Sequence, residues 1–220
     1  MKTDDGCSYP EDRLYAVDHD LWLKPINGGH YRVGVVQPLL FYAGKPKKIS
    51  LRGIGTTVRR NTALAVLTTS KTDAVVLAPF NLEVLAVNND VLDNPSRIAE
   101  DVYGDGWLAD VALKEQPSSL YEASEAAQKY LRKNFERGVV CLKTVAEFDI
   151  TIFGESCEGI LTQIGDFMKM HLAEGETVHV ITSDPATEVD LMDWSEKTGQ
   201  QLVDIKRVGK TLHAVFRKRA

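Results

Sequence analysis

A change in hydrophobic pattern near Glu147 divides the chain into two parts that need different architectures. Before it, residues 14–113 form short apolar segments separated by Gly, Asn and Pro, including the turn sequence at residues 27–29. After it, apolar residues recur at helical spacing between short strand-like segments. Frequent short strands are typical of a β-barrel or sandwich, whereas alternating strands and helices indicate an α/β layer structure. We therefore predict one domain at residues 1–137 and another at 148–220, joined by a linker at 138–147.

Composition and charge exclude several classes of function. Of the 220 residues, 44% are hydrophobic and 26% are charged, as in ordinary soluble globular proteins. The net charge of −5 gives no reason to expect a nucleic-acid partner. The longest apolar stretch, residues 75–87, is too short to cross a bilayer, and the first six residues contain no apolar signal core. We expect a cytoplasmic protein with no membrane or nucleic-acid partner.

The cysteines and histidines do not form a recognisable framework. The sequence contains an odd number of cysteines, Cys7, Cys141 and Cys157, and no two of them form a Cys-x-x-Cys pair. This argues against a disulfide framework and a four-ligand zinc site, so we expect three thiols in a reducing compartment. The five histidines share no metal-ligand spacing, and we predict no metal site.

Lys71 is the first candidate functional residue. It lies in the polar segment 68–73, between the apolar runs 63–67 and 74–77, which predicts a β-hairpin with Lys71 at its tip. The strands would fix the base of the turn, while the side chain projects into solvent and can carry a group into the clefts of other proteins. On the hairpin alone, an unmodified solvated lysine is the simpler interpretation.

Several short motifs follow Lys71 in the sequence. They are Pro79, Asn-Asn at 88–89, Leu-Asp-Asn-Pro at 92–95 and, most specifically, Tyr-Gly-Asp-Gly-Trp-Leu at 103–108. In their order and spacing, residues 9–133 resemble the glycine cleavage H protein family. The resemblance implies an all-β barrel-sandwich domain with a flanking helix and lipoic acid attached to Lys71. It implies as partners lipoate ligase or lipoyl-transfer enzymes, dihydrolipoamide dehydrogenase and the glycine cleavage enzymes. Thr68 replaces the family's glutamate that lipoylating enzymes recognise, so a dedicated ligase and an unmodified lysine both stay open.

Other segments resemble a narrower group within this family. Cys7, Pro-Glu-Asp at residues 10–12 and Ala-Gly-Lys at 43–45 are similar to the lipoate-binding proteins of sulfur-oxidising, heterodisulfide-reductase-like systems. This similarity implies a heterodisulfide-reductase-like complex as a further partner.

A helix is predicted at the end of the first domain, with an apolar stripe that should pack on the barrel or, alternatively, bind a partner. Ser118 or Ser119 is the predicted N-cap and Gly138 the predicted end. The apolar stripe that should pack on the barrel consists of Leu120, Ala123, Ala127, Tyr130, Leu131 and Phe135.

The order βαβαββ over residues 148–220 predicts a two-layer α/β sandwich. Asp184-Pro185 is the predicted start of its second helix. The residues that fall where the TusA-like sulfur-carrier family has equivalents are Asp149, Gly154, Cys157, Gly175-Glu176, the strand end at 182–185 and Lys-Thr-Gly at 197–199, and the segment therefore resembles that family. The resemblance implies a persulfide on Cys157 at the start of the first helix, supplied by sulfurtransferases. A helix N-terminus stabilises a thiolate or persulfide, although Glu158 opposes it. The family's Cys-Pro-x-Pro is Cys-Glu-Gly-Ile here, and an inert thiol is the alternative.

Together these observations predict a non-catalytic carrier in cytoplasmic sulfur metabolism. Lys71 would carry the lipoyl group and Cys157 a persulfide. The alternatives are a glycine cleavage H protein that carries methylamine on the lipoyl arm, an unmodified interaction scaffold, and a sulfurtransferase that acts through Cys157.

Overall fold

The chain forms two units, Met1–Val139 and Val140–Ala220, in a computed structural model that describes residues 1–183 and 187–220. Strands and helices are numbered in chain order. In the first unit, one six-stranded sheet has the order β1 (Leu14–Ala16), β2 (Leu21–Ile26), β3 (His30–Val35), β9 (Ala109–Leu113), β8 (Leu82–Val87) and β5 (Thr57–Val58). A second, three-stranded sheet has the order β4 (Pro46–Leu51), β6 (Ala63–Thr69) and β7 (Ala74–Leu77).

The predicted hairpins are present, but the first unit is not all-β. Strands β2 and β3 pair in antiparallel fashion around Asn27–Gly29, and β6 and β7 pair around residues 70–73. Three helices interrupt the strands: α1 (Gln37–Ala43), α2 (Asn89–Asp93) and α3 (Arg97–Glu100). Among the described residues, the strands of the first unit form two separate sheets, and no ladder closes these two sheets into a barrel.

Helix α2, which the sequence did not predict, begins at Asn89. The Asn88 side chain accepts a hydrogen bond from the Asp90 amide at 3.1 Å and so caps the helix there. Asn94-Pro95 lies between α2 and α3 and opens α3, because the Arg97 and Ile98 amides donate to the Asn94 and Pro95 carbonyls at 3.1 and 3.2 Å.

The connecting helix, α4 (Ala123–Arg137), differs from its prediction in its start and in its buried face. Tyr121 exchanges backbone hydrogen bonds with Tyr15, which keeps the chain extended past Ser118 and Ser119. The buried residues are Ala123, Ala126, Ala127, Tyr130 and Asn134. Phe135, predicted to be buried, is 88% exposed. Gly138 ends the helix at a φ of +65°, as predicted.

The expectation of three thiols was wrong. Cys7 and Cys141 are each disulfide-bonded, and Cys157 is a half-buried thiol. An odd count excludes only that every cysteine is paired, so the sequence argument was too strong. Cys7 is fully buried, and its amide donates to Asp5 Oδ1 at 3.1 Å.

The second unit has the predicted βαβαββ order. Its elements are β10 (Phe148–Ile152), α5 (Cys157–His171), β11 (Thr177–Thr182), α6 (Thr187–Thr198), β12 (Gln201–Val208) and β13 (Thr211–Arg217). The sheet order is β10-β11-β13-β12, with β10 and β11 parallel. Ile160, Ile164 and Met168 of α5 and Leu191 of α6 share one core with residues of the sheet, which gives two layers. The predicted Asp184-Pro185 helix start lies outside the described residues.

The segment between the predicted domains contains no regular element but is largely buried. Val140, Leu142, Val145 and Ala146 are each at most 7% exposed, and residues 140–147 belong to the second unit. The Lys143 amide donates to Asp204 Oδ2 of β12 at 2.9 Å. In the part of the chain that the structure describes, no helix is long and apolar enough to cross a membrane.

Candidate functional site

Lys71 lies on the β6–β7 turn, as the sequence predicts, and this turn is bound to the chain that follows α1. The Ser70 amide donates to the Lys45 carbonyl at 3.0 Å, and the Lys45 amide donates to Ser70 Oγ at 3.0 Å. The Thr72 amide donates to the Ala43 carbonyl, also at 3.0 Å. These bonds fix the turn on both sides of Lys71.

The Lys71 side chain does not project freely into solvent, in contrast to the expectation. It is half-buried, and its Nζ donates to the Phe41 carbonyl at 3.3 Å. This carbonyl is one of the last four of α1, which have no partner within the helix and carry its partial negative charge. Because α1 was not predicted, neither was this contact.

Gly44 allows the close approach between the end of α1 and the turn. Its φ is +99°, a conformation that L side chains rarely adopt. A Cβ at this position would lie 2.6 Å from Ser70 Oγ and 2.9 Å from the Lys71 backbone nitrogen. The local signals for α1 were Pro38 in its first turn and Gly44 at its end.

The Tyr-Gly-Asp-Gly-Trp-Leu motif positions the other end of α1. The Gln37 amide, at the first residue of the helix, donates to the Tyr103 hydroxyl at 3.2 Å. The Arg13 guanidinium lies over the Tyr103 ring at 5.2 Å and over Trp22 at 4.6 Å, and it donates to the Tyr103 carbonyl at 2.8 Å. Burial raises the pKa of Tyr103 well above its usual range, so the phenol stays neutral. The motif therefore holds the helix that receives Lys71.

A cavity of about 250 Å³ lies beside the turn. Its walls combine apolar and charged side chains, among them Leu39, Tyr42, Thr72, Val75, Asp20 and Arg137. Arg137 donates to Asp20 Oδ2 at 3.0 Å and lies 5.2 Å from the Tyr42 ring centre. The cavity offers an apolar wall together with a fixed ion pair.

Cys157 is the first residue of α5, as predicted. Ser156 is the N-cap, and its Oγ accepts a hydrogen bond from the Gly159 amide at 3.2 Å. Glu158 is exposed beside the thiol. Lys71 and Cys157 belong to different units of the chain.

Among the described residues, no group of three or more His, Cys, Asp or Glu side chains is placed to hold a metal ion. His179 and His213 instead lie in a hydrogen-bonded row. His179 is 3.2 Å from Asp149 and 3.0 Å from His213, which is 2.9 Å from Thr211 Oγ1.

The first unit is similar to known proteins over most of its length. Residues 13–134 match the family described as glycine cleavage H-protein. Glycine cleavage system H protein 5 of Aquifex aeolicus is 31% identical over 143 residues, which are 62% of this chain and 96% of that protein. The probable glycine cleavage system H protein 2 of Sulfurisphaera tokodaii is 32% identical over 56% of this chain and 86% of its own length.

A solved structure agrees with these matches. The crystal structure of a glycine cleavage system H protein from Mycobacterium marinum aligns with a TM-score of 0.50 and 31% identity, over 55% of this chain and 98% of that one. The family match spans more than half of the chain and includes Lys71, α1 and the motif around Tyr103. The chain therefore belongs to the glycine cleavage H-protein family.

Proposed function

We propose that this protein is a lipoyl carrier and that Lys71 is its attachment site. The observation that carries the proposal is the position of Lys71, on a turn that hydrogen bonds hold against α1, inside the region that matches the family. Members of the H-protein family are carriers rather than catalysts. The reactive group is thus on a modified side chain, and the protein's own task is to position it.

The residues around Lys71 fit an acylated amine. Attachment forms an amide between Nζ and the lipoyl carbonyl, and the activating group leaves. The amide nitrogen keeps one N–H, which can still donate to the Phe41 carbonyl. The apolar wall of the adjacent cavity, including Leu39 and Val75, suits a hydrocarbon arm. When bound, the lipoyl group supplies a dithiol–disulfide pair that exchanges with partner proteins.

We further propose that residues 148–220 form a TusA-like sulfur carrier in which Cys157 holds a persulfide. The Cys157 thiolate would attack the terminal sulfur of a donor persulfide. The donor's S–S bond breaks, the donor leaves as a thiolate, and Cys157 keeps the transferred sulfur. The N-terminus of α5 favours the anionic sulfur, and the presence of both carriers on one chain raises their effective concentration.

In this proposal the protein acts in cytoplasmic sulfur metabolism. Its partners are lipoate ligase or lipoyl-transfer enzymes, dihydrolipoamide dehydrogenase, sulfurtransferases and a heterodisulfide-reductase-like complex. A second candidate is carriage of methylamine in glycine cleavage, because the similar proteins from Aquifex aeolicus and Mycobacterium marinum bear that name.

Acylation in vitro tests the attachment site. The full chain is incubated with lipoate, ATP and the lipoate ligase of its native host, and its intact mass is measured. The wild type should gain one lipoyl group, Lys71→Arg should gain none, and the control Lys210→Arg, at an exposed lysine of the second unit, should behave as wild type. Acylation of Lys71→Arg to the wild-type extent would place the site elsewhere.

The acylated protein then separates the two candidate functions. A glycine cleavage H protein should support bicarbonate exchange by glycine decarboxylase, whereas a sulfur carrier should not. A sulfur carrier should take up sulfane sulfur from a sulfurtransferase, and Cys157→Ser should abolish this uptake. Exchange with glycine decarboxylase together with no sulfur uptake would refute the sulfur role.

A further inference from the structure

The charge of the first unit is distributed very unevenly. Between Asp20 and Asp73 the sequence contains no Asp or Glu but nine Lys and Arg, although the whole chain has a net charge of −5. Five of these cations, Lys47, Lys48, Arg52, Arg59 and Arg60, are exposed. We call these five residues the basic face.

Part of the basic face lies on the sheet that presents Lys71: Lys47 and Lys48 are in β4 and Arg52 follows it, whereas Arg59 and Arg60 follow β5 of the other sheet. Lys48 lies on the edge strand β4, directly opposite Thr68 of β6, and β6 leads into the Lys71 turn. Opposite residues of an antiparallel pair project on the same side, and Thr68 is exposed, so Lys48 lies on the outer side of this sheet. Arg52 continues the ladder by donating its amide to the Leu64 carbonyl at 2.9 Å. The alternation of side chains along a strand places Lys48 and Arg52 on one side.

Among the described residues, the cations of this surface are not paired with carboxylates. Within residues 1–183 and 187–220, the five side chains of the basic face form no ion pair. Glu83, which lies opposite Thr57 at the start of β8, forms an ion pair with Lys114. Unpaired exposed cations produce a local positive potential that attracts an acidic partner and raises its rate of association.

We propose that the basic face is the docking surface for the enzyme that attaches the lipoyl group, and that this enzyme carries acidic residues around the entrance of its active site. The inference rests on the proposed attachment of lipoate to Lys71. An attaching enzyme must enclose Nζ of Lys71, whose turn is bonded to Ala43 and Lys45, immediately before β4. It therefore covers the chain around β4. Charge complementarity, together with the position of Lys48 beside the Lys71 turn, favours an acidic protein that acts on this lysine as the occupant.

The test is the rate of acylation of the full chain by its host's lipoate ligase. At about 0.05 M salt, the double variant Lys48→Glu, Arg52→Glu should have a kcat/KM at least tenfold below wild type, the order expected when electrostatic steering is lost. Raising the salt to about 0.5 M should lower the wild-type value towards that of the variant. The matched control, Lys169→Glu with Lys210→Glu, changes the net charge equally in the second unit and should react as wild type.

The remaining outcomes separate the docking surface from the attachment itself. Equal rates for both double variants at every salt concentration would overturn the docking surface while leaving Lys71 as the site. Failure of the wild type to be acylated would overturn both proposals. The wild type could instead bind a short DNA duplex that the Lys48→Glu, Arg52→Glu variant does not bind, while both are acylated at the same rate. That result would show that the basic face binds nucleic acid rather than an acidic protein. Should charge reversal disturb folding, Lys48→Gln with Arg52→Gln should still reduce kcat/KM at low salt.

Discussion

Replacement of Gly44 by alanine should displace the Lys71 turn. Gly44 has φ +99° and ψ −178°, a region that is almost restricted to glycine, and forcing another residue into it costs about 1–3 kcal/mol. The new Cβ would also lie 2.6 Å from Ser70 Oγ and 2.9 Å from the Lys71 nitrogen, and that backbone atom cannot rotate away. We expect the free energy of unfolding of the first unit to fall by about 3 kcal/mol.

The turn itself supplies a second measurement for this variant. The amides of Ser70 and Thr72 donate to Lys45 and Ala43, so both should be protected from hydrogen exchange in wild type and should lose protection in Gly44→Ala. The control is Gly29→Ala, at φ +72° with no atom within 4 Å of the added Cβ, which should cost about 1 kcal/mol in urea unfolding. If Gly44→Ala costs no more than this control and keeps both amides protected, the argument that α1 and the Lys71 turn are tightly apposed is refuted.

Three further predictions concern Tyr103 and Gly34 of the first unit and His213 of the second unit. Tyr103→Phe removes the acceptor for the Gln37 amide and should lower the free energy of unfolding by about 1 kcal/mol in urea denaturation. Gly34→Ala places a Cβ 2.6 Å from Trp22 Cε2 in the core and should cost about 1–3 kcal/mol in the same assay, whereas an unchanged midpoint would contradict the packing. Burial, aided by His179, lowers the pKa of His213 to about 4, so the folded second unit favours the neutral ring. Its stability should be full above pH 6.5 and fall by about 2–3 kcal/mol towards pH 4, and His213→Gln should remove this loss in urea titrations at the two pH values.

The local turn signals predicted the strands and hairpins well. Asn27–Gly29 closes β2–β3 and residues 70–73 close β6–β7, because turn residues impose their geometry on their immediate neighbours. The βαβαββ order of the second unit was also predicted, because its apolar residues recur with the period of a strand or of a helix within each element.

The contacts between α1, Tyr103 and Lys71 could not be predicted from local sequence signals. Helix α1 has only seven residues, too few for a clear period, and its ends are set by distant partners: Tyr103 at Gln37 and Lys71 at Phe41. An isolated helix of that length is not stable, so tertiary contacts decide whether it forms.

Ala123, Ala127 and Tyr130 of the predicted α4 stripe are buried, and the part of the face that was wrongly assigned has a related cause. Asn134 lies on the buried side because its Nδ2 donates to Asp5 Oδ2 at 2.8 Å, 129 residues earlier in the chain. Phe135, which continued the apolar stripe, is left exposed. A count of apolar residues cannot anticipate a buried polar pair that forms between distant segments.

The modification state of Lys71 in the native host tests the central claim most directly. Protein purified from that host should show, by intact mass and by peptide mapping, one lipoyl group on Nζ of Lys71. Peptides in which this amine is entirely unmodified, from cells grown with lipoate available, would contradict the claim that the protein is a lipoyl carrier.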